Sequence, residues 1–511
     1  MIWYGNFEIV LIVTLISSTI IFAYSLRSLF FIFTIITNLE KCSNIIKEKK
    51  EEGVYKIIYV DEKIDYNYPF ISILIASYNE NIVIERLLSS LSKLSYNYDK
   101  FEIIIIDDSD DGTYDTLKKW QKAIANLKVI HRQNRDGWKG GALNLGINNL
   151  NKNSDIVLIV DADNVLDEDT LEKIAIYFRD LEEKEFSTYV IQGYPKSIGV
   201  YIENKKSSSS SSILQCTQNE VNKEKIDYNS NNKNNWVYKG ISFRLYQRNL
   251  VEFIAKEKLN LPLQITGSLF AVRTIILKSL RFSHDICEDW DLTLDLYLSK
   301  VTNNLLVSVE NKFADYKKFE KINDDRINNN DNTTKNNEKI QKIISFEPTL
   351  VSYSEITNKL SSYFRQRMRV SEGHTREFRK RIIKIIENEK LTFLSKMELF
   401  FVGLRYAKYI PIMFLVIIDL ILLIDQGVKS ILINDFLKIS IGIQGLSLII
   451  YLLYNILSLK IKYKFVMRDF DFKDIIYLLL LNICTMPAFV VGSFLGFIRP
   501  KGNFYRTKRN E

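Results

Sequence analysis

Residues 155–163 read DIVLIVDAD. The five apolar residues at 156–160 form a short unbroken run, the pattern of a β-strand covered on both faces. Such a strand belongs to a parallel sheet, and open α/β sheets bind ligands beyond the carboxyl ends of their strands. Asp161 and Asp163 stand at that end. Two carboxylates two residues apart suit a divalent cation shared with a diphosphate, since magnesium is usually held by one or two carboxylates plus substrate phosphates. The plain alternative is a strand end carrying two solvated acids. The rest of the chain weighs between them.

Residues 71–76 and 103–106 repeat the pattern. The first run leads into Ser77-Tyr78-Asn79-Glu80 and the second into Asp107-Asp108-Ser109-Asp110. Between them Leu87, Leu88, Leu91 and Leu94 share one helical face. Residues 128–131 read as a further strand, followed by Trp138-Lys139-Gly140-Gly141 and a helix to Leu150. Alternating strands and helices predict an α/β domain with a mostly parallel, doubly wound sheet.

Residues 9–36 are apolar, with Arg27 the only strong charge. The run is too long for a signal-peptide core and predicts a transmembrane helix. Lys41, Lys47, Lys49 and Lys50 follow it, and nothing basic precedes it. The positive-inside rule therefore sets the next domain in the cytoplasm. Residues 399–424, 439–459 and 475–498 are each long enough to span. Arg405, Lys408 and Asp419 interrupt the first, and both flanks of the last are basic. The last, with Pro487 inside, is open to a single crossing or a re-entrant hairpin. Much of the +8 net charge lies beside apolar segments, so no nucleic-acid partner is expected. The four cysteines have no paired spacing, and three histidines are too few for a multi-histidine metal centre. Residues 207–235 and 321–339 are too polar to fold alone and read as surface insertions.

Transfer of a sugar from a nucleoside diphosphate needs a grip on the nucleoside, neutralisation of the leaving diphosphate, a base for the acceptor hydroxyl and a held acceptor. Ser77, Glu80, Asp107 and Asp108 are placed to bond the base and ribose, although turns and caps favour the same residue types. Lys139 lies in a glycine-flanked turn ahead of a helix, where it can approach the donor or sit in solvent. Asp289, behind Glu288, opens an apolar helix pattern and serves as either base or cap. Gln366, Arg367 and Arg369 suit a departing diphosphate, or else a basic face on anionic headgroups.

In this order and spacing the chain resembles the family 2 glycosyltransferases, specifically their membrane-embedded cellulose synthase-like and glucomannan synthase-like branch. The matching pieces are ASYNE at 76–80, DDSDD at 107–111, GWKGGALNLG at 137–146, DAD at 161–163, VIQGYP at 190–195, TGSLFAVR at 266–273, CEDWDLT at 287–293 and QRMRV at 366–370. The resemblance implies a cytosolic GT-A domain over 69–383, with insertions near 203–235 and 317–341. A membrane helix at 1–40 and a linker at 41–68 would precede it, and an interfacial helix and membrane helices at 384–511 would follow. It implies a UDP- or GDP-hexose donor, Mg2+ or Mn2+ on Asp161 and Asp163, and inversion at the anomeric carbon. Asp107, Asp108 and Asp161 would bind donor, Asp289 would be the base, and Gly267 and Ser268 would line the acceptor site. Gln366 and Arg369 fall on the family's QxxRW element. Its tryptophan, on which polysaccharide-extending members stack the terminal sugar, is Val370 here. The expected function is β-polysaccharide synthesis at the bilayer, on a glycan acceptor. Single-sugar transfer to a polyprenyl phosphate or glycolipid, or a non-catalytic membrane protein that binds sugar nucleotides, are the alternatives.

Overall fold

The computed structural model describes residues 2–37, 68–183, 188–198, 235–299, 342–424, 435–466 and 471–500. The expected linker apart from Tyr68, and the insertions apart from Asn235, lie outside the described residues.

The apolar runs form β1 (Ile71–Ser77), β2 (Phe101–Asp107), β3 (Leu127–His131) and β4 (Ile156–Asp161). All four are parallel, in the spatial order β3-β2-β1-β4. The sheet continues from β4 through β7 (Phe270–Arg273), β6 (Val190–Ile198) and β8 (Ile344–Glu355) to β5 (Asn164–Leu166). This second half is mixed: β7 is antiparallel to β4 and β6, β8 is parallel to β6, and β5 is antiparallel to β8. Four of the seven strand pairings among the described residues are parallel, so the sheet is mostly parallel as expected, and wholly so in the half that carries the first four motifs.

Both faces of the sheet are covered, as a strand that is apolar throughout requires. On one face α2 (Ile84–Leu91), α3 (Thr113–Gln121) and α5 (Thr170–Glu183) pack on Ile71, Ile73 and Ile105. On the other, α4 (Trp138–Asn148), α8 (Thr274–Leu280) and α9 (Glu288–Leu298) pack on Leu74, Ile104 and Val157. The result is a GT-A-like α/β fold.

Helices hold this domain to the apolar segments. α1 spans Ile2–Thr37. α6 (Trp236–Tyr246) runs through a π-helical turn, Gln247–Phe253, into α7 (Ile254–Lys258). α10 (Leu360–Glu387) carries the QxxR residues and runs through the expected boundary at 383. Then come α11 (Phe393–Gly403), α12 (Tyr409–Ile424), α13 (Asp435–Val466) and α14 (Lys473–Ile498). By length and apolar character Glu8–Thr37, Leu437–Lys462 and Lys473–Ile498 could each cross a membrane.

Two expectations change here. Residues 399–424 are not one span: the helix breaks at 404–408, and α12 has 16 residues. The break lets Arg405 reach Glu252 (2.8 Å) and turns the Lys408 ammonium over the Tyr24 ring, 4.6 Å from its centre. Residues 475–498 form no hairpin but one continuous helix, with Pro487 inside it.

Candidate active site

Register fixes the first part of the site. Ser77 lies opposite Asp107, Asp107 opposite His131, and Ala76 opposite Asp161. Ser77, Asp107, His131 and Asp161 thus share the carboxyl edge of four parallel strands, and Asp163 stands in the turn beyond.

Lys139 is the hub of the second part. Its helix α4 starts after Gly137, and its ammonium donates to Asp161 Oδ1 (2.7 Å) and to the Gly267 carbonyl (2.9 Å). It also lies 3.2 Å from Glu288 Oε1. Burial opposes this charge, but Asp161 and Glu288 outweigh it and raise the Lys139 pKa.

Asp289 sits in the first turn of α9, with Cys287 at the cap position. Its Oδ1 accepts from the Trp290 amide (2.8 Å). Burial, then the neighbouring Glu288, push its pKa up to about 7, against the pull of Lys139. Gly267 has φ +74°, and a Cβ there would stand 3.0 Å from Asp289 Oδ2. Glycine at 267 therefore keeps the carboxylate open. Gln192 on β6 holds this loop, accepting from the Thr266 amide (2.9 Å) and donating to the Ser268 carbonyl (3.1 Å). Ser268 Oγ accepts from Asn164 (2.6 Å).

α10 lies against the start of α9, with the Cys287 thiol 3.6 Å from the Val370 carbonyl. Gln366 and Arg369, half-buried and one turn apart, belong to this segment. Burial lowers the Arg369 pKa, while Cys287 and Glu288 raise it in part. Arg367 instead lies over Tyr363, 4.9 Å from the ring centre, with its Nε buried. Arg376 holds the loop before α9 by two bonds to Asp285, each 3.2 Å.

The nucleoside candidates have local partners. Asp107 accepts from Ser109 Oγ (2.6 Å) and lies 2.9 Å from His131 Nδ1. Asp108 takes a two-pronged bond from Arg132, 2.6 Å at Nε. Arg135 covers the Tyr78 ring at 3.3 Å. The Glu80 amide donates to Thr113 (3.0 Å). The buried Ser77 hydroxyl has no hydrogen-bond partner among the described residues. The reading of single motifs missed His131, Arg132, Arg135, Asn164 and Gln192. His131 and Arg132 were within reach of it, since His131 ends β3 and Arg132 directly follows it at the same sheet edge.

Residues 72–253 match Glycosyl transferase family 2. A probable glucomannan 4-beta-mannosyltransferase 10 of Arabidopsis thaliana is 32% identical over 170 residues, 32% of this chain and 31% of that one. A beta-monoglucosyldiacylglycerol synthase of Synechocystis is 34% identical over 113 residues, 22% and 23% of the two chains. Among solved structures, a mannosyltransferase of Pyrobaculum calidifontis in complex with GDP-Man and Mn2+ is 15% identical. It covers 85% of this chain and 98% of that one, with a TM-score of 0.45. The matches to the curated relatives span about a third of those proteins or less. The chain therefore carries a glycosyltransferase family 2 domain, homologous to the plant glucomannan mannosyltransferases.

Proposed function

We propose that the chain is an inverting hexosyltransferase that moves a sugar from a UDP- or GDP-sugar to a growing β-glycan at the cytosolic membrane face. One observation carries this reading. The Asp289 carboxyl, raised to about 7, stands beside Gly267, Lys139 and Asp161 at the edge of the parallel strands. A base of that strength works best near neutral pH.

Asp289 takes the proton of the acceptor hydroxyl as that oxygen bonds the anomeric carbon. The bond from this carbon to the phosphate oxygen breaks, and its electron pair leaves with the nucleoside diphosphate. Attack from the face opposite the leaving group inverts the carbon. Lys139 and Arg369 stabilise the departing negative charge, with Gln366 and Arg367 on the same helix face and its flank. Glu288 holds Lys139 in place. Gly267 and Ser268 form the acceptor wall. Ser77, Glu80, Asp107 and Asp108 grip the nucleoside.

Asp161 and Asp163 fit a divalent cation shared with substrate. They offer carboxylate oxygens at the strand edge, and no group of three His, Cys, Asp or Glu among the described residues makes a complete cage. Mg2+ or Mn2+ bound there supplies charge neutralisation for the diphosphate. Calorimetry is expected to show saturable Mn2+ binding only when nucleoside diphosphate is present. Equal binding without nucleotide would contradict the shared site.

The plant relatives are named as β-mannosyltransferases, so a mannosyl donor is the first to test. Membranes holding the full chain are given radiolabelled GDP-mannose, UDP-glucose, UDP-galactose or UDP-N-acetylglucosamine with Mn2+. One donor is expected to yield a product many sugars long, β-linked by NMR. A lipid-extractable product one sugar long would assign a lipid acceptor instead. Val370, in place of the stacking tryptophan, is the residue that makes that second reading worth testing. No consumption of any donor would remove the enzyme reading.

A further inference from the structure

Composition makes α14 a span, yet its neighbours keep it on one side. α1 and α13 run side by side in the same direction. Ser18 meets Ser440 (2.7 Å), and further along both helices Phe31 and Ile32 share a core with Leu459. Both reach the soluble domain at that end. Arg27 of α1 bonds Glu252 and Glu398, and Asn455 of α13 accepts from Gln247 (3.0 Å).

α14 stays at this level from end to end. Asp471, just before it, pairs with Lys239 of α6 (3.2 Å), and Asp474 in its first turn pairs with Lys462 near the end of α13 (2.6 Å). Midway, Phe489 stacks on Tyr409, the first residue of α12, at 4.6 Å. At its far end Arg379 of α10 donates to the carbonyls of Phe497 and Arg499. Arg499 also lies 3.8 Å from Glu372. A helix of 26 residues is about 39 Å long, more than the roughly 30 Å of hydrocarbon, so a crossing would carry one end to the far side. Here both ends bond helices of the soluble domain.

Its sides agree. Gly240 of α6 packs on the Tyr477 carbonyl, while Gly492 and Gly496 bring α14 against the backbone of Met368 and Glu372. α10 cannot enter the bilayer with it. Arg376 holds Asp285, and His374 stacks on Trp290, the neighbour of Asp289, at 4.6 Å. A crossing by both helices would drag the catalytic loop into hydrocarbon.

The outer face is a single apolar stripe. Ile476, Leu480, Ile483, Val491, Phe494 and Ile498 are each 44–66% exposed. Basic residues flank it in sequence, Lys460, Lys462, Lys464 and Arg468 before and Arg499, Lys501, Arg506, Lys508 and Arg509 after. We propose that α14 lies flat in the leaflet facing the soluble domain, with its apolar stripe among the acyl chains and the exposed Lys460 and Arg499 on anionic headgroups. The end of α14 at Ile498 then stays on the soluble domain's side. The bilayer becomes part of the scaffold that sets α10, and with it Gln366 and Arg369.

The full chain, with its four cysteines replaced, is spin-labelled in turn at Ile476, Ile483, Val491, Phe494 and Ile498. It is placed in nanodiscs of phosphatidylcholine and phosphatidylglycerol, and collision with oxygen against a nickel chelate reads depth. All five labels are expected at one shallow depth, about 5–10 Å below the headgroup boundary. A depth that is greatest at Ile483 and Val491, with Ile476 and Ile498 close to opposite surfaces, overturns the proposal. In sealed vesicles a cleavable tag after Glu511 of the unlabelled chain is expected to be cut from the side that exposes the soluble domain. Cutting only from the other side also overturns it. Both readouts measure position and not sugar transfer, so they stand or fall apart from the proposed reaction.

Discussion

Asp289 is tuned by opposing neighbours. Burial and Glu288 raise its pKa, and the Lys139 charge pulls it down. The base form is the anion, so kcat/KM for donor turnover should fall as pH drops below about 7 and level off above. Removing the cation should let the carboxyl pKa rise further. In Lys139→Met the acid limb of the pH profile is therefore expected to move up by about one unit, beside an overall loss of rate. An unmoved limb would mean that Lys139 does not act on the base. This coupling was not legible in the sequence, where Lys139 and Asp289 are separate motifs. Only the approach of α4, the Gly267 loop and α9 makes them neighbours.

At the scale of elements, α10 packs between α14 and the loop before α9. Its contact with α14 depends on Gly492, where a Cβ would meet the Met368 carbonyl and the Ser371 hydroxyl. Gly492→Val is expected to push α10 aside and cut the transfer rate about a hundredfold. Nucleotide binding on the first strands should be unchanged by calorimetry, and full transfer would separate α10 from the chemistry. The parallel strands were readable because a strand buried on both faces leaves an unbroken apolar run. α9 was readable from the apolar helix pattern behind Glu288 and Asp289, although the cap position falls on Cys287 and not on Asp289. The break at 404–408 was not, because Arg405 and Lys408 look like flaws in a span until Glu252 and Tyr24 are set beside them. The clasp of Gln192 on residues 266–268 was also hidden, since β6 and the loop before β7 are far apart in sequence.

For the whole molecule, a charge network fastens the membrane part to the catalytic part. Arg27 bonds Glu398 (2.6 Å) and Glu252 (2.8 Å), which Lys256 and Arg405 also share. Arg27→Gln removes one member of a buried set and should cost about 3 kcal/mol, seen as a lower midpoint of heat unfolding in nanodiscs. An unchanged midpoint would make the network dispensable. Asp161, Glu288 and Asp289, from distant parts of the chain, gather around Lys139, and in the proposed reaction Asp289 deprotonates the acceptor. The most direct test compares Asp289→Asn with the wild type in nanodiscs, for sugar transfer and for nucleoside diphosphate affinity in Mn2+. Turnover is predicted to fall by about a thousandfold or more with affinity within about threefold; turnover within tenfold of wild type would contradict the account.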